Sequence, residues 1–208
     1  MSMKEMSLRS FLVELASDSP APGGGSVAAF GGAMGASLVS MVARLTVGKE
    51  KYKEHWAIME ELMNDCDKMR DEFLDLMDKD SNAFNDFMKA MRLPKNTEEE
   101  KRERTFAMQE ALKKAALVPM ETLRKCLYLA KKAEIAVERG NVNAVTDAGT
   151  ALLLASSSAK AASYNVLINL KSIKDEGFAN QLKSEVESLL KAIDDTVIRG
   201  LKGLEENL

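Results

Sequence analysis

The sequence predicts an all-α protein, a helical bundle around a buried Ala/Gly-rich central helix that also forms dimers, and three observations carry that expectation. Apolar residues recur with a helical period through nearly every segment long enough to show one, and the alternation of a half-buried strand is nowhere sustained. Punctuation is sparse, confined to Pro20, Pro22, Pro94, Pro119, the glycines Gly23 to Gly25, Gly140 and Gly177. Hydrophobic residues make up 46% of the 208 residues and charged residues 29%, which is enough apolar material for one domain, 1–208, with a substantial core.

The elements follow in order. A first helix is expected near 5–17, where charged and apolar residues interleave. A loop over 18–24 leads to a second helix, 25–47, which is apolar for nearly a membrane span and interrupted only by small polar residues and Arg44. It is rich in Ala, Gly and Ser rather than Leu and Ile, with Gly31 and Gly35 at GxxxG spacing. That composition suits the buried hub of a bundle, where small side chains let backbones approach, better than a membrane span. The third helix, 50–91, carries an apolar stripe through Trp56, Met59, Leu62, Cys66, Met69, Phe73, Met77, Phe84, Phe87 and Met91. After a loop at 92–96, Thr97 is placed to cap a helix whose first turn holds Glu98, Glu99 and Glu100. Pro119 either separates helices at 97–118 and 119–138 or kinks a single one. Helices over 142–171 and 175–206 complete the chain.

Composition removes several function classes. A net charge of −3 argues against nucleic acid as a partner. With His55 as the single histidine, a His-rich metal site and a Ser-His-Asp triad are excluded, so acid–base chemistry falls to carboxylates, lysine, tyrosine or hydroxyls. No metal is expected. Cys66 and Cys126 fit no metal-ligand spacing and sit among apolar neighbours, which implies buried free thiols in a reducing compartment. The N-terminal segment lacks the continuous apolar stretch of a signal peptide, so a cytosolic protein with no membrane partner is expected.

Four features can carry chemistry. In PAPGGGS, Pro20 to Ser26, the glycines Gly23, Gly24 and Gly25 free the backbone for positive φ and close approach to a ligand, and Ser26 is placed as an N-cap. Amide groups pointing out of a helix N-terminus suit an anion or a polarised carbonyl, although a tight loop-to-helix junction explains the glycines equally well. The apolar stripe of the third helix runs straight through Asp80, where a lone carboxylate is costly. Either a neighbouring helix satisfies it or it lines a cavity with a tuned pKa, while Asp78 points to nearly the opposite side. In the 142–171 helix, Asp147, Ser158, Asn165 and Asn169 fall in one narrow arc among alanines, as an interhelical seam or as a cleft wall reading a heterocycle. Last, Lys49, Lys51, Lys53, Arg92 and Lys95 are solvated faces or receivers of substrate carboxylates.

Three stretches, PAPGGGSVAAFGGAMGASLVSMVARLTVGKEKY, DKDSNAFNDFMKAMRLPKNTEEEKRERT and GNVNAVTDAGTALL with the later SYNVLINL, occur in an order and spacing that resemble the formiminotetrahydrofolate cyclodeaminase family. The resemblance spans roughly residues 5–205. It implies an all-α fold, a homodimer, and a folate substrate that is often polyglutamylated, with no cofactor beyond the tetrahydrofolate derivative itself. The family's acidic catalytic position corresponds to Asp80, ahead of Ala83 and Phe84, and its glycine-rich loop to Gly23, Gly24, Gly25 and Ser26. A free-standing form, without an attached formiminotransferase domain, is expected. The implied reaction is cyclodeamination of 5-formiminotetrahydrofolate, with methenyltetrahydrofolate cyclohydrolase activity as the alternative, and the amphipathic helices taken alone would also fit a non-catalytic helical interaction protein.

Overall fold

The computed structural model describes residues 2–208 and is all-helical, with no strand among them. Six α-helices follow in order: α1 (Leu8–Leu15), α2 (Gly24–Arg44), α3 (Trp56–Met91), α4 (Glu98–Arg139), α5 (Val145–Leu170) and α6 (Glu176–Glu205). Short 3-10 turns precede α1, α3 and α5. The expected 50–91 helix therefore begins late, because Tyr52 leaves helical backbone geometry inside the turn Glu50–His55.

Helix starts follow local chemistry. Thr97 caps α4 in a reciprocal capping box with Glu100, and Asp175 caps α6 by accepting from the Phe178 amide. Of the two readings at Pro119, the single helix is the one found: α4 runs unbroken through it. A proline inside a helix costs about 3 kcal/mol or more. Here packing overrides that cost, because Ala116, Met120 and Leu123 around it have no exposed surface and anchor α4 in the core.

Helix α2 packs against α3, α4 and α5. Its glycines act where the helices cross. A Cβ added at Gly31 would meet Ser158 Oγ at 2.3 Å, and one at Gly32 would meet the Phe73 ring at 2.5 Å. At Gly35 it would meet Leu129 Cδ2 at 2.9 Å, with the Ala151 carbonyl 3.5 Å away. These pairs also fix direction, since Gly24 faces Asn165, Gly31 faces Ser158 and Gly35 faces Ala151, so α2 and α5 are antiparallel. Helix α2 is long and apolar enough to cross a membrane by composition, but 67% of the relevant window is buried inside the bundle. It is not enclosed all round: Val27, Met34, Met41 and Leu45 are exposed along one edge, and α5 exposes Leu153, Tyr164 and Ile168.

Candidate active site

The N-terminal turn of α2, the last third of α3, and facing stretches of α4 and α5 enclose a cleft of about 370 Å³. Helix α3 contributes Asp80, Ser81, Phe84 and Phe87, of which Asp80, Phe84 and Phe87 fall on one face by helical spacing. The loop and the start of α2 contribute Pro20, Ala21 and Gly23 to Gly25. Leu112 and Ala115 come from α4, and Asn165, Ile168 and Asn169 from α5. Asp80 is the one ionisable side chain in this lining.

Asp80 is held by α2. The Ser26 hydroxyl donates to Asp80 Oδ2 at 3.0 Å, with the Met77 carbonyl as a longer second acceptor at 3.4 Å. The backbone N–H of Ser26, in the first turn where amides lack helical partners, also favours the ionised carboxyl. Gly23 occupies the N-cap position with no side chain to offer, so a carboxylate from another helix serves the start of α2 instead. Burial pushes the Asp80 carboxyl above the ordinary carboxylate range, and the two Ser26 groups pull it part of the way back. The result is a titratable carboxyl in a cleft otherwise lined by apolar and neutral polar groups.

The three glycines are not equivalent. None has positive φ, which among the described residues occurs only at Gly48, so the expected left-handed geometry is not their reason. A Cβ would find nothing within 4 Å at Gly23 and Asn165 Nδ2 at 3.4 Å at Gly24. At Gly25 it would sit 2.2 Å from Asp80 Oδ1, so only that glycine is demanded by the site. Ser26 is also relocated: it lies inside the first turn, fully buried, and acts on Asp80 rather than as the cap.

Asn165 and Asn169 reach the cleft, but Asp147 and Lys49 do not. Asp147 shares the angular position of the two amides on α5, yet along the axis of a helix rising about 1.5 Å per residue it lies about 27 Å from Asn165 and about 33 Å from Asn169. Lys49 follows the C-terminal end of α2, about 30 Å from the turn that holds Asp80. Arg92 lines an adjoining depression that shares Pro20 and Phe84 with the cleft, and Lys95 is exposed in the loop beyond. Asp78 turns away as expected, accepting from the Met3 amide at 2.6 Å and from the Ser2 hydroxyl, and so ties down the N-terminal segment. Both cysteines are buried and free, and burial pushes the Cys66 thiol up to about 12.

Residues 7–188 match the family described as formiminotransferase-cyclodeaminase. A methenyltetrahydrofolate cyclohydrolase of Methylorubrum extorquens is 44% identical over 183 residues, covering 88% of each chain. The formimidoyltransferase-cyclodeaminase of Rattus norvegicus is 35% identical over 190 residues, and the match spans 91% of this chain and 35% of that longer protein. The crystal structure of formiminotetrahydrofolate cyclodeaminase from Thermotoga maritima superposes with a TM-score of 0.89 at 35% identity, covering 98% of both chains. With the family match over residues 7–188 and the sequences and fold of these relatives in agreement, the chain belongs to the formiminotransferase-cyclodeaminase family.

Proposed function

We propose that this protein is a folate one-carbon enzyme in which Asp80 is the acid–base residue, and that its reaction is cyclodeamination of 5-formiminotetrahydrofolate. The observation that carries the reading is a single ionisable group, with its pKa raised by burial, in a cleft walled by Phe84, Phe87, Leu112 and Ile168. The apolar walls suit a flat ring, and the amides of Asn165 and Asn169 suit its polar edge. In the reaction N10 attacks the formimino carbon, the C–N bond to the departing nitrogen breaks, and ammonia leaves to give 5,10-methenyltetrahydrofolate. N10 must lose a proton and the leaving nitrogen must gain one. One carboxyl whose pKa lies nearer neutrality serves both transfers.

Hydrolysis of 5,10-methenyltetrahydrofolate to 10-formyltetrahydrofolate is the second reading, favoured by the 44% identity to a cyclohydrolase of matching extent. There water adds to the methenyl carbon, N5 is released carrying a proton, and the same carboxyl accepts from the water. In either reaction the rest of the folate runs from the cleft into the depression beside Arg92, toward Lys95, which suits the carboxylates of a glutamate tail. Neither cation has an ion-pair partner among the described residues. The open apolar edges of α2 and α5 support a homodimer.

The deciding experiment gives purified protein each folate separately. Methenyl absorbance that grows from 5-formiminotetrahydrofolate, with ammonia released, supports cyclodeamination. Absorbance that decays from 5,10-methenyltetrahydrofolate faster than the buffer rate supports hydrolysis. No change in either overturns the proposal.

A further inference from the structure

Pro119 sits buried in the middle of α4 and has no N–H, so it offers no helical hydrogen bond to the carbonyl four residues back, that of Ala115. Asn169 of α5 fills that place. Its Nδ2 donates to the Ala115 carbonyl at 3.1 Å and to the Asn165 carbonyl, one turn back on its own helix, at 2.9 Å. Both hydrogens of the amide nitrogen are engaged by backbone oxygens, which can only accept. The assignment of nitrogen and oxygen is therefore fixed by chemistry. Oδ1 takes no hydrogen bond among the described residues, and Ala115 and Asn169 both line the cleft. Asn165 differs: its Nδ2 has one carbonyl partner, that of Ala161, so its amide keeps a hydrogen to offer as well as an acceptor.

We infer that Asn169 is a specificity-determining residue that presents Oδ1 as an acceptor to an N–H or NH2 edge of the bound heterocycle, and that Pro119 fixes this polarity by leaving the Ala115 carbonyl for the amide nitrogen to hold. The inference rests on the reading that the cleft takes the pterin ring, whose amino group and ring N–H supply such an edge. It gives Pro119 a role that helix stability does not explain, because alanine there would suit α4 better. Replacing it supplies a new N–H aimed at the Ala115 carbonyl, in competition with Asn169.

The test measures binding of 5-formyltetrahydrofolate by calorimetry, with KM, kcat and thermal unfolding followed in parallel, for Asn169→Ala, Pro119→Ala and the double variant. Asn169→Ala is expected to weaken binding about ten-fold, the worth of one net hydrogen bond, with KM rising and kcat nearly unchanged. Pro119→Ala is expected to unfold at the same or a higher temperature and yet bind about three-fold more weakly. The double variant is expected to bind no worse than Asn169→Ala alone, since the proline acts only through the amide. Should Asn169→Ala not fold, Asn169→Leu keeps the bulk without the acceptor and is expected to weaken binding likewise. Unchanged binding in the Asn169 variants, or losses that add in the double variant, overturn the inference while leaving the pterin reading in place. A wild-type protein that binds no folate overturns that reading, and this inference with it.

Discussion

A methyl group added at Gly25 has nowhere to go except into the Asp80 carboxylate, 2.2 Å from Oδ1, whereas one added at Gly23 meets nothing. Gly25→Ala is therefore expected to displace Asp80 and cut turnover by about 10²-fold, the scale of a lost general acid–base, while Gly23→Ala stays near the parent rate. Asp80→Asn keeps the shape and most hydrogen bonding but not the proton, and a loss of similar size is expected. Near-normal turnover in that variant would end the assignment. Stability checks the same residue from another side. The Asp80 carboxyl is raised in the folded protein, so its ionised form is held at a cost that is fully present above the folded pKa and is relieved as pH falls through it. Asp80→Asn should accordingly unfold at a higher temperature than the parent at neutral pH, and the difference should shrink on acidification into the carboxylate range. The acidic limb of the kcat/KM profile is expected above the ordinary carboxylate range for the same reason. Periodicity alone found Asp80, because a carboxylate on an apolar stripe contradicts its surroundings. The Ser26 partnership was not legible, since nothing local to either residue says that α2 begins beside the last third of α3.

Helices carried most of what the sequence revealed, and their limits are instructive. The wheel that grouped Asp147 with Asn165 and Asn169 reports angle and not height, so it joined residues at opposite ends of α5. Lys49 failed for the related reason that a helix as long as α2 separates its two termini by most of the bundle. The GxxxG spacing of α2 reads more truly, because small residues at a helix crossing are demanded by the crossing itself. Gly35→Leu would drive a branched side chain against Leu129 and the Ala151 carbonyl. Overpacking of this kind costs about 1–3 kcal/mol. In a chain of this size that lowers the unfolding temperature by about 2–4 °C per kcal/mol. An unchanged temperature would mean that α2 and α5 can part without loss.

For the molecule as a whole, the fold class and the family were legible, since length, helical period and three motifs agree. The closure of α2 was not. Its Val27, Met34, Met41 and Leu45 edge stays open, and α5 adds Leu153, Tyr164 and Ile168, a pattern that composition cannot distinguish from full burial. Ile168 belongs at once to this open face and to the cleft wall. Sedimentation equilibrium at micromolar concentration is expected to give a dimer, and Leu153→Glu together with Met34→Glu is expected to shift it toward monomer. A wild-type protein that sediments as a monomer would count against the dimer.

The carboxylate that completes the start of α2 comes from a different helix, and it is the one proposed to change its proton during each catalytic cycle. Anchorage of the first turn and chemistry are thus two readouts of one ionisation. Whenever Asp80 carries a proton, the Ser26 amide loses a charged partner, and the first turn of α2 that borders the cleft is held less firmly. Amide hydrogen exchange at Ser26, corrected for the intrinsic pH dependence, is expected to slow as pH rises through the Asp80 titration. In Asp80→Asn that step should vanish. The entrance to the site would then breathe with the protonation state of the group inside it, loosening and tightening in time with turnover without any separate moving part.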